Sequence, residues 1–232
     1  MLKKYIIVCI FLFLAVFCFC QSNFTRGEAF LMQNQPANAL DFLVRAMAED
    51  SSNPVTYLYL GIVYEQLGRS DDAIAIYRRV LPIAGSHTAN VANNLGNVYF
   101  QRGNTDMAEQ YYSQAIGFNS VYANAYLGRA NTRIKTGNLQ NAIVDYEQYL
   151  TLVPNSSQRD IIEQLINTIR NEFASQEMRR VLAEEEERRI AEERQRLLDA
   201  VSASLQSAAD SSQGISFGAE SVENYDGIFE LD

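Results

Sequence analysis

Apolar residues follow a helical spacing along residues 22–154, and the pattern returns about every 34 positions. In each repeat an alanine is followed four residues later by Leu or Tyr, so both side chains fall on one face of an α-helix. The steps between these alanines are 34, 35 and 34 residues. The pattern predicts a helical repeat array, whose function lies on a surface rather than in a catalytic constellation. The pairs are Ala39 with Leu43, Ala73 with Tyr77, Ala108 with Tyr112, and Ala142 with Tyr146.

A turn is predicted once per repeat, so each repeat contains two helices. The turn residue is Gly or Asn, and both types adopt the left-handed conformation that ends many helices. After the second turn, Ser70 is the predicted N-cap, and Asp71 and Asp72 suit the positive end of the next helix. A small residue in each first helix lets the alanine-bearing helix approach, and the Leu or Tyr fills the remaining space. The turn positions are Asn34, Gly68, Gly103 and Gly137.

These positions resemble the tetratricopeptide repeat family, a helix–turn–helix array with a period of about 34 residues. The resemblance covers about residues 22–154 and implies an all-α, right-handed superhelical α-solenoid. Its four repeats span about 22–53, 54–88, 89–121 and 122–154. Two departures stand out: Arg26 precedes Gly27 where Leu-Gly is usual, and Arg133 replaces a large apolar residue. One extra residue lies between repeats two and three, in the irregular stretch from Leu81 to His87.

A capping helix is predicted over residues 155–173, because a solenoid must cover its last apolar face. The stripe is Ile162, Ile166, Ile169 and Phe173. No Pro or Gly follows Asn155 until Gly214, so the helix is expected to continue through a charged arm, residues 174–209. Opposite charges at i, i+4 predict three ion pairs in this arm. They are Glu184–Arg188, Glu185–Arg189 and Glu192–Arg196.

The apolar stripe of the arm nearly vanishes between Leu182 and Ile190. This favours a single solvated helix, with a coiled coil as the alternative. A short amphipathic face then returns at Leu197, Val201, Leu205 and Ala208, suited to a partner, a membrane surface or the protein's own repeats. Residues 210–232 are acidic and rich in small residues, which predicts a disordered tail. Aromatic residues within the tail leave a short linear binding motif open beside a purely solubilising role.

Residues 1–20 have the pattern of an export signal. Lys3 and Lys4 precede sixteen apolar residues, a run between the ~7–15 of a signal core and the ~20 of a membrane span. Three outcomes remain open: cleavage before Gln21, a retained membrane anchor, or lipidation of Cys18 or Cys20. Each predicts an exported protein, either periplasmic or associated with an envelope membrane.

Charge and residue content exclude several functions. The net charge of −9 argues against nucleic acid, because phosphate binding needs a clustered positive face. The single histidine, His87, falls in a predicted turn, and all three cysteines lie in the first twenty residues. No phosphate-binding glycine loop or Cys/His ligand set occurs. We therefore expect no catalytic activity, no cofactor and no metal site.

The resemblance places a candidate binding groove on the concave surface, lined mostly by first helices. Asn97 and Asn131 lie one repeat apart and would form a ladder, as in relatives that hold extended peptides. Solvent-facing asparagines without a ligand role are the alternative. A carboxylate clamp is not expected, since no lysine pair occupies the matching places. The implied groove residues are Asn90, Asn93, Asn94, Asn97, Gln101, Asn124 and Asn131, with Leu58 and Ile62 in an apolar first half.

These features predict a non-catalytic protein–protein interaction scaffold of the cell envelope. Its partner would be a protein or an extended peptide in the concave groove. The alternative is a structural tether or an oligomer-forming subunit, which acts through the charged arm and the acidic tail. The identity of the partner and the oligomeric state stay open.

Overall fold

A computed structural model describes residues 22–216, and these residues form nine α-helices. They divide into two compact units, residues 22–167 and 168–216. The first eight helices form four pairs, and each helix packs against the next. The helices are α1 (Asn23–Met32), α2 (Pro36–Glu49), α3 (Pro54–Gln66), α4 (Ser70–Val80), α5 (Thr88–Gln101), α6 (Thr105–Phe118), α7 (Ala123–Thr136), α8 (Leu139–Leu152) and α9 (Arg159–Ser216).

The predicted all-α solenoid of helix pairs is confirmed. First helices of neighbouring repeats also contact each other, α1 with α3 and α5 with α7. All four repeated alanines are fully buried, as expected for a continuous core between stacked pairs. At the start of α9, Ile162 and Ile166 are buried in the way a capping helix requires.

Small residues let the paired helices approach closely, as predicted. A methyl group added at Gly61 would lie 2.2 Å from Cε1 of Tyr77, and one at Gly96 would lie 2.7 Å from Cδ1 of Tyr112. Tyr112 also lies against Gly128 of the next repeat, at 2.4 Å by the same measure. These distances are shorter than van der Waals contact, so a larger residue at any of the three glycines would displace a tyrosine ring.

The predicted left-handed turns are present in all four repeats. The φ angles are 55° at Asn34, 71° at Gly68, 78° at Gly103 and 77° at Gly137. The extra residue between repeats two and three is absorbed by two short 3-10 turns, Leu81–Ile83 and Gly85–His87. The predicted cap at Ser70 is wrong. The left-handed turn at Gly68 makes Arg69 the N-cap residue, so Ser70 becomes the first residue of α4.

Helix α9 runs from Arg159 to Ser216, so the predicted continuation of the capping helix into the charged arm is confirmed. The prediction of disorder from residue 210 onward is wrong for residues 210–216, which are helical. No helix-breaking proline interrupts this stretch. The predictions for residues 1–21 and 217–232 lie outside the described residues.

The arm carries ion pairs, but with other partners than predicted. Arg180 pairs with Glu177 and Glu184, and Arg189 pairs with Glu186. Within the described arm, none of the three predicted i, i+4 pairs forms. An arginine in an acid-rich helix reaches carboxylates three or four residues away on either side, and exposed pairs differ little in energy. Among the residues described, no helix combines the length and apolarity needed to cross a membrane.

Candidate functional site

Three tyrosines at equivalent positions of repeats two to four form a row, which we call the tyrosine row: Tyr77, Tyr112 and Tyr146. All three rings are buried, and each hydroxyl bonds to a polar side chain of a first helix. Repeat one has Leu43 at this position, packed on Gly27. The row of hydroxyl groups therefore begins in repeat two.

In repeats three and four the hydroxyls orient asparagines. The Tyr112 hydroxyl donates to Oδ1 of Asn97 at 2.9 Å, and the Tyr146 hydroxyl donates to Oδ1 of Asn131 at 2.6 Å. Because these bonds engage the carbonyl oxygens, the Nδ2 group of each asparagine keeps its hydrogens for another acceptor. The same tyrosine–asparagine hydrogen bond thus holds two amide donors one repeat apart.

Repeat two uses the hydroxyl differently. The Tyr77 hydroxyl donates to Oε1 of Glu65 at 2.5 Å and accepts from Nδ2 of Asn94 at 3.3 Å. Burial raises the pKa of the Glu65 carboxyl, and the bond from Tyr77 opposes this in part. Burial and then the nearby Glu65 charge raise the pKa of Tyr77 far above its usual range, so this phenol stays protonated.

A cavity of about 300 Å³ lies between α5 and α7, and Tyr112 of the tyrosine row is part of its lining. Its volume is at the lower end of the range for small-ligand sites. Every lining side chain is uncharged, and Phe100 and Leu127 supply apolar surface. Nζ of Lys135 lies 5.3 Å from the centre of the Phe100 ring, on which it forms a cation–π contact. The lining residues are Asn93, Asn97, Phe100, Gln101, Tyr112, Asn124, Leu127, Gly128 and Asn131.

The structure brings together five of the nine groove residues predicted from the sequence. Asn93, Asn97, Gln101, Asn124 and Asn131 all line the cavity. Two further predicted residues lie elsewhere in the groove region. Asn94 donates a hydrogen bond to Tyr77 of the tyrosine row, and Asn90 is half-buried outside the cavity.

The predicted apolar half of the groove needs a correction. Leu58 is only 8% exposed and belongs to the core, with Ile62 packed against the same cluster. Phe24 stacks on Tyr59, with ring centres 5.6 Å apart. Leu58 and Ile62 are therefore engaged in packing within the fold and do not form an open apolar surface.

Sequence reasoning missed the orienting role of the tyrosines, which it treated as packing residues only. One signal was available. Tyr rather than Phe occupies the position in repeats two, three and four, and a buried phenol normally finds a hydrogen-bond partner. The hydrogen-bond partner of each hydroxyl could not be predicted from the sequence, because it depends on the distance between two helices.

Helix α7, which lines the cavity, also contributes two arginines to a charge network around the buried Asp145 of α8. Asp145 is 1% exposed and bonds to Arg129 at 2.7 and 2.9 Å and to Arg133 at 2.8 Å. Arg133 also bonds to Glu109 of α6 at 2.7 Å. Burial lowers the pKa of Arg129, but the Asp145 bond and charge outweigh it and the net shift is upward. Arg133 therefore replaces an apolar residue because two carboxylates face it.

Comparison with known proteins agrees with this architecture. One family model of the tetratricopeptide repeat matches residues 53–119, and a second matches residues 93–157. Residues 53–157 of this chain are tetratricopeptide repeats. Members of this family are typically non-catalytic scaffolds for protein–protein interaction. Within the described residues, no group of three or more His, Cys, Asp and Glu side chains is placed to hold a metal ion.

Individual relatives extend the comparison. The human RNA polymerase II-associated protein 3 is 29% identical over 107 residues, which are 46% of this chain and 16% of that protein. A crystal structure of MamA is 24% identical, has a TM-score of 0.56, and matches 64% of this tetratricopeptide repeat protein and 84% of MamA. A tetratricopeptide repeat protein from Parabacteroides merdae is 20% identical with a TM-score of 0.54, over 66% and 60% of the chains. The two structures bear on the fold alone.

Proposed function

We propose that this tetratricopeptide repeat protein is a scaffold of the cell envelope that binds an extended peptide segment of a partner protein in the cavity between α5 and α7. The observation that carries the proposal is the pair of asparagines oriented by the tyrosine row. Asn97 and Asn131 both line an uncharged cavity, and because a tyrosine engages each amide oxygen, each amide nitrogen is left to donate to a ligand. A peptide backbone offers carbonyl acceptors at regular intervals, which suits donors that repeat along a groove.

The chemistry of the cavity favours a neutral occupant. Clustered cations would indicate a carboxylate or phosphate ligand, but the lining residues are uncharged. The Lys135 ammonium group lies on the ring of Phe100, a lining residue, and is not itself part of the lining. The apolar faces of Phe100 and Leu127 add contact area for a side chain of the peptide. An uncharged, extended segment therefore matches the cavity better than an acidic terminus.

The proposed envelope location depends on residues 1–20. Two lysines followed by sixteen apolar residues are typical of an export signal or a membrane anchor. Cell fractionation and N-terminal sequencing of the mature protein test this. A mature terminus at Gln21 supports cleavage, an intact terminus in the membrane fraction supports an anchor, and a lipid on Cys18 or Cys20 supports lipidation. An intact protein in the cytosol would contradict the proposal.

Crosslinking and pulldown from envelope fractions test groove binding. We expect the full chain to capture a partner, and the Asn97→Ala/Asn131→Ala double variant to lose it. Asn155→Ala/Asn167→Ala is the matched control, because both asparagines are exposed and lie outside the cavity. Equal capture by the groove variant and the control would contradict the proposal.

A second candidate function has its own observation. Leu197, Val201 and Leu205 are 62%, 56% and 67% exposed on one face of α9. Such a face supports a tether or an oligomer-forming subunit that acts through the arm. Deletion of residues 174–232 would then abolish partner capture, while the Asn97→Ala/Asn131→Ala variant would keep it. Capture that survives this deletion and is lost in the Asn97→Ala/Asn131→Ala variant supports binding in the cavity instead.

A further inference from the structure

A chain of hydrogen bonds connects the cavity to Glu65. Nδ2 of Asn93 donates to Oδ1 of Asn94 at 3.4 Å, and Nδ2 of Asn94 donates to the Tyr77 hydroxyl at 3.3 Å. That hydroxyl donates to Oε1 of Glu65 at 2.5 Å. The amide nitrogen of Asn94 can only donate, so the Tyr77 hydroxyl accepts from it and gives its own hydrogen to Glu65, which fixes the direction of the chain. Every member donates toward Glu65.

The other end of this chain is an acceptor without a donor. Oδ1 of Asn93 is the one buried side-chain nitrogen or oxygen that lacks a hydrogen-bond partner among the described residues. Asn93 is 5% exposed and also lines the cavity. A buried oxygen in this state costs free energy, and native structures rarely contain one without a reason. The reason here is to be sought in the cavity beside it.

We infer that Asn93 is a specificity residue of the cavity, and that its Oδ1 accepts a hydrogen bond from a backbone N–H of the bound peptide. This inference rests on the proposed function, because it concerns the same occupant. Asn97 and Asn131 present donors for peptide carbonyls, and Asn93 adds the complementary acceptor. A peptide backbone carries both kinds of group, whereas a ligand that only accepts would leave Asn93 unpaired.

The direction of the chain strengthens this acceptor. Hydrogen bonds in series polarise one another, so negative charge at Glu65 increases the electron density at Oδ1 of Asn93. Oδ1 is covered in the unliganded protein, so binding requires a small shift of the cavity lining that leaves the Asn93–Asn94 bond in place.

An alternative reading is that Asn93 is only a structural residue of α5. The two readings differ in the effect of Asn93→Leu, which keeps a similar size and removes both polar atoms. If Asn93 serves the ligand, Asn93→Leu weakens peptide binding and changes the melting temperature of the full chain little, because removal of the unpaired oxygen offsets loss of the bond to Asn94. If Asn93 serves the fold, the same change lowers the melting temperature.

The experiment uses a peptide selected against the full chain from a random peptide library. Each backbone amide of this peptide is replaced in turn by an ester, which removes one N–H donor and keeps the shape. We expect one ester to weaken binding to the native protein about tenfold, equivalent to about 1.4 kcal/mol. The same ester should cause no further loss with Asn93→Leu, since the two changes remove one bond.

The outcomes separate this inference from the proposed function. If no library peptide binds, or if a selected peptide binds Asn97→Ala/Asn131→Ala as well as the native protein, the proposed groove function fails and the inference falls with it. If binding depends on Asn97 and Asn131 but no ester position is coupled to Asn93, the inference alone is overturned. A lower melting temperature for Asn93→Leu with unchanged affinity would overturn it as well.

Discussion

At Tyr112, a single hydroxyl group determines what the neighbouring Asn97 offers to a ligand. An asparagine side chain presents an acceptor and a donor that differ little in shape, and only its partners decide which of them faces a site. The Tyr112 hydroxyl engages the oxygen, so the amide nitrogen is left for the cavity. The same device at Tyr146 and Asn131 makes this a property of the repeat rather than of one residue.

The orienting role of Tyr112 is testable with Tyr112→Phe. The ring keeps its place between Gly96 and Gly128, and Asn97 loses the donor that holds its oxygen. We expect peptide affinity to fall by a few-fold to about tenfold, in line with a net ~0.5–1.5 kcal/mol for one hydrogen bond. Isothermal titration with a selected peptide measures this. Tyr149→Phe is the control, because its hydroxyl bonds to Ser156 outside the cavity; equal losses in both variants would contradict the orienting role.

The carboxyl group of Glu65 predicts a pH dependence of stability. Burial raises its pKa above the usual value of 4.5, so folding favours the protonated form. The stabilising contribution is complete below the unfolded pKa and is lost as pH rises through the folded pKa. Urea unfolding between about pH 4 and pH 8 should therefore show Glu65→Gln gaining stability relative to the native protein as pH rises. A constant difference across this range would contradict the prediction.

At the scale of elements, the pairing of helices depends on glycine at a few places and on buried charge at another. Gly61 and Gly96 allow tyrosine rings to lie directly on the helix backbone. The α6–α7–α8 contact instead contains Arg129, Arg133 and Asp145. A sequence pattern identifies the first arrangement because it repeats. It does not identify the second, because this network occurs once.

Two glycine substitutions should have opposite effects. Gly96→Ala places a methyl group against the Tyr112 ring and should destabilise the fold by about 1–3 kcal/mol, the usual cost of overpacking. Gly117→Ala is the matched control, because Gly117 lies near the end of α6 with open space around it. It should stabilise the helix by roughly 0.5–1 kcal/mol. Thermal and urea unfolding distinguish the two; similar effects would show that the close approach is unimportant.

The buried network predicts a large effect of Asp145→Ala. The change removes the buried carboxylate that bonds to two half-buried arginines, which should cost up to about 3–5 kcal/mol. Asp41→Ala removes a carboxylate from the exposed Arg45–Asp41 pair and should cost less than about 1 kcal/mol. Urea unfolding of both variants tests this. A loss at Asp145 no larger than that at Asp41 would show that the network contributes little.

For the molecule as a whole, the repeats and the arm are stabilised by different interactions. The repeats share a continuous apolar core, whereas the side chains of residues 174–211 are exposed throughout. The arm is therefore stabilised by its backbone hydrogen bonds and by exposed ion pairs, each worth little. This difference leaves the apolar face around Leu197 to Leu205 as surface.

Deletion of residues 174–232 should leave the stability of the repeats nearly unchanged. The side chains of residues 174–211 are all exposed, so the described part of the deleted segment contributes no core residue. Calorimetry should show the main unfolding transition within a few degrees of that of the full chain. Deletion from residue 159 is the contrast, since it removes the buried Ile162 and Ile166 and should lower the transition clearly. Equal shifts of the unfolding transition in both deletions would contradict the view that the arm adds nothing to the core.

The sequence by itself determined the repeat, the helix pairs, the left-handed turns and the close contacts at glycine. These are decided locally, because a period of about 34 residues and small–aromatic pairs at helical spacing specify which faces meet. Only the tertiary structure decided that Leu58 is core, that Arg133 is matched by Glu109 and Asp145, and that Tyr112 and Tyr146 hold Asn97 and Asn131. These outcomes depend on side chains that meet across different helices, and such distances are absent from a linear pattern. The candidate groove was therefore visible in the sequence as a row of asparagines, and the direction in which each amide points became visible only in the fold.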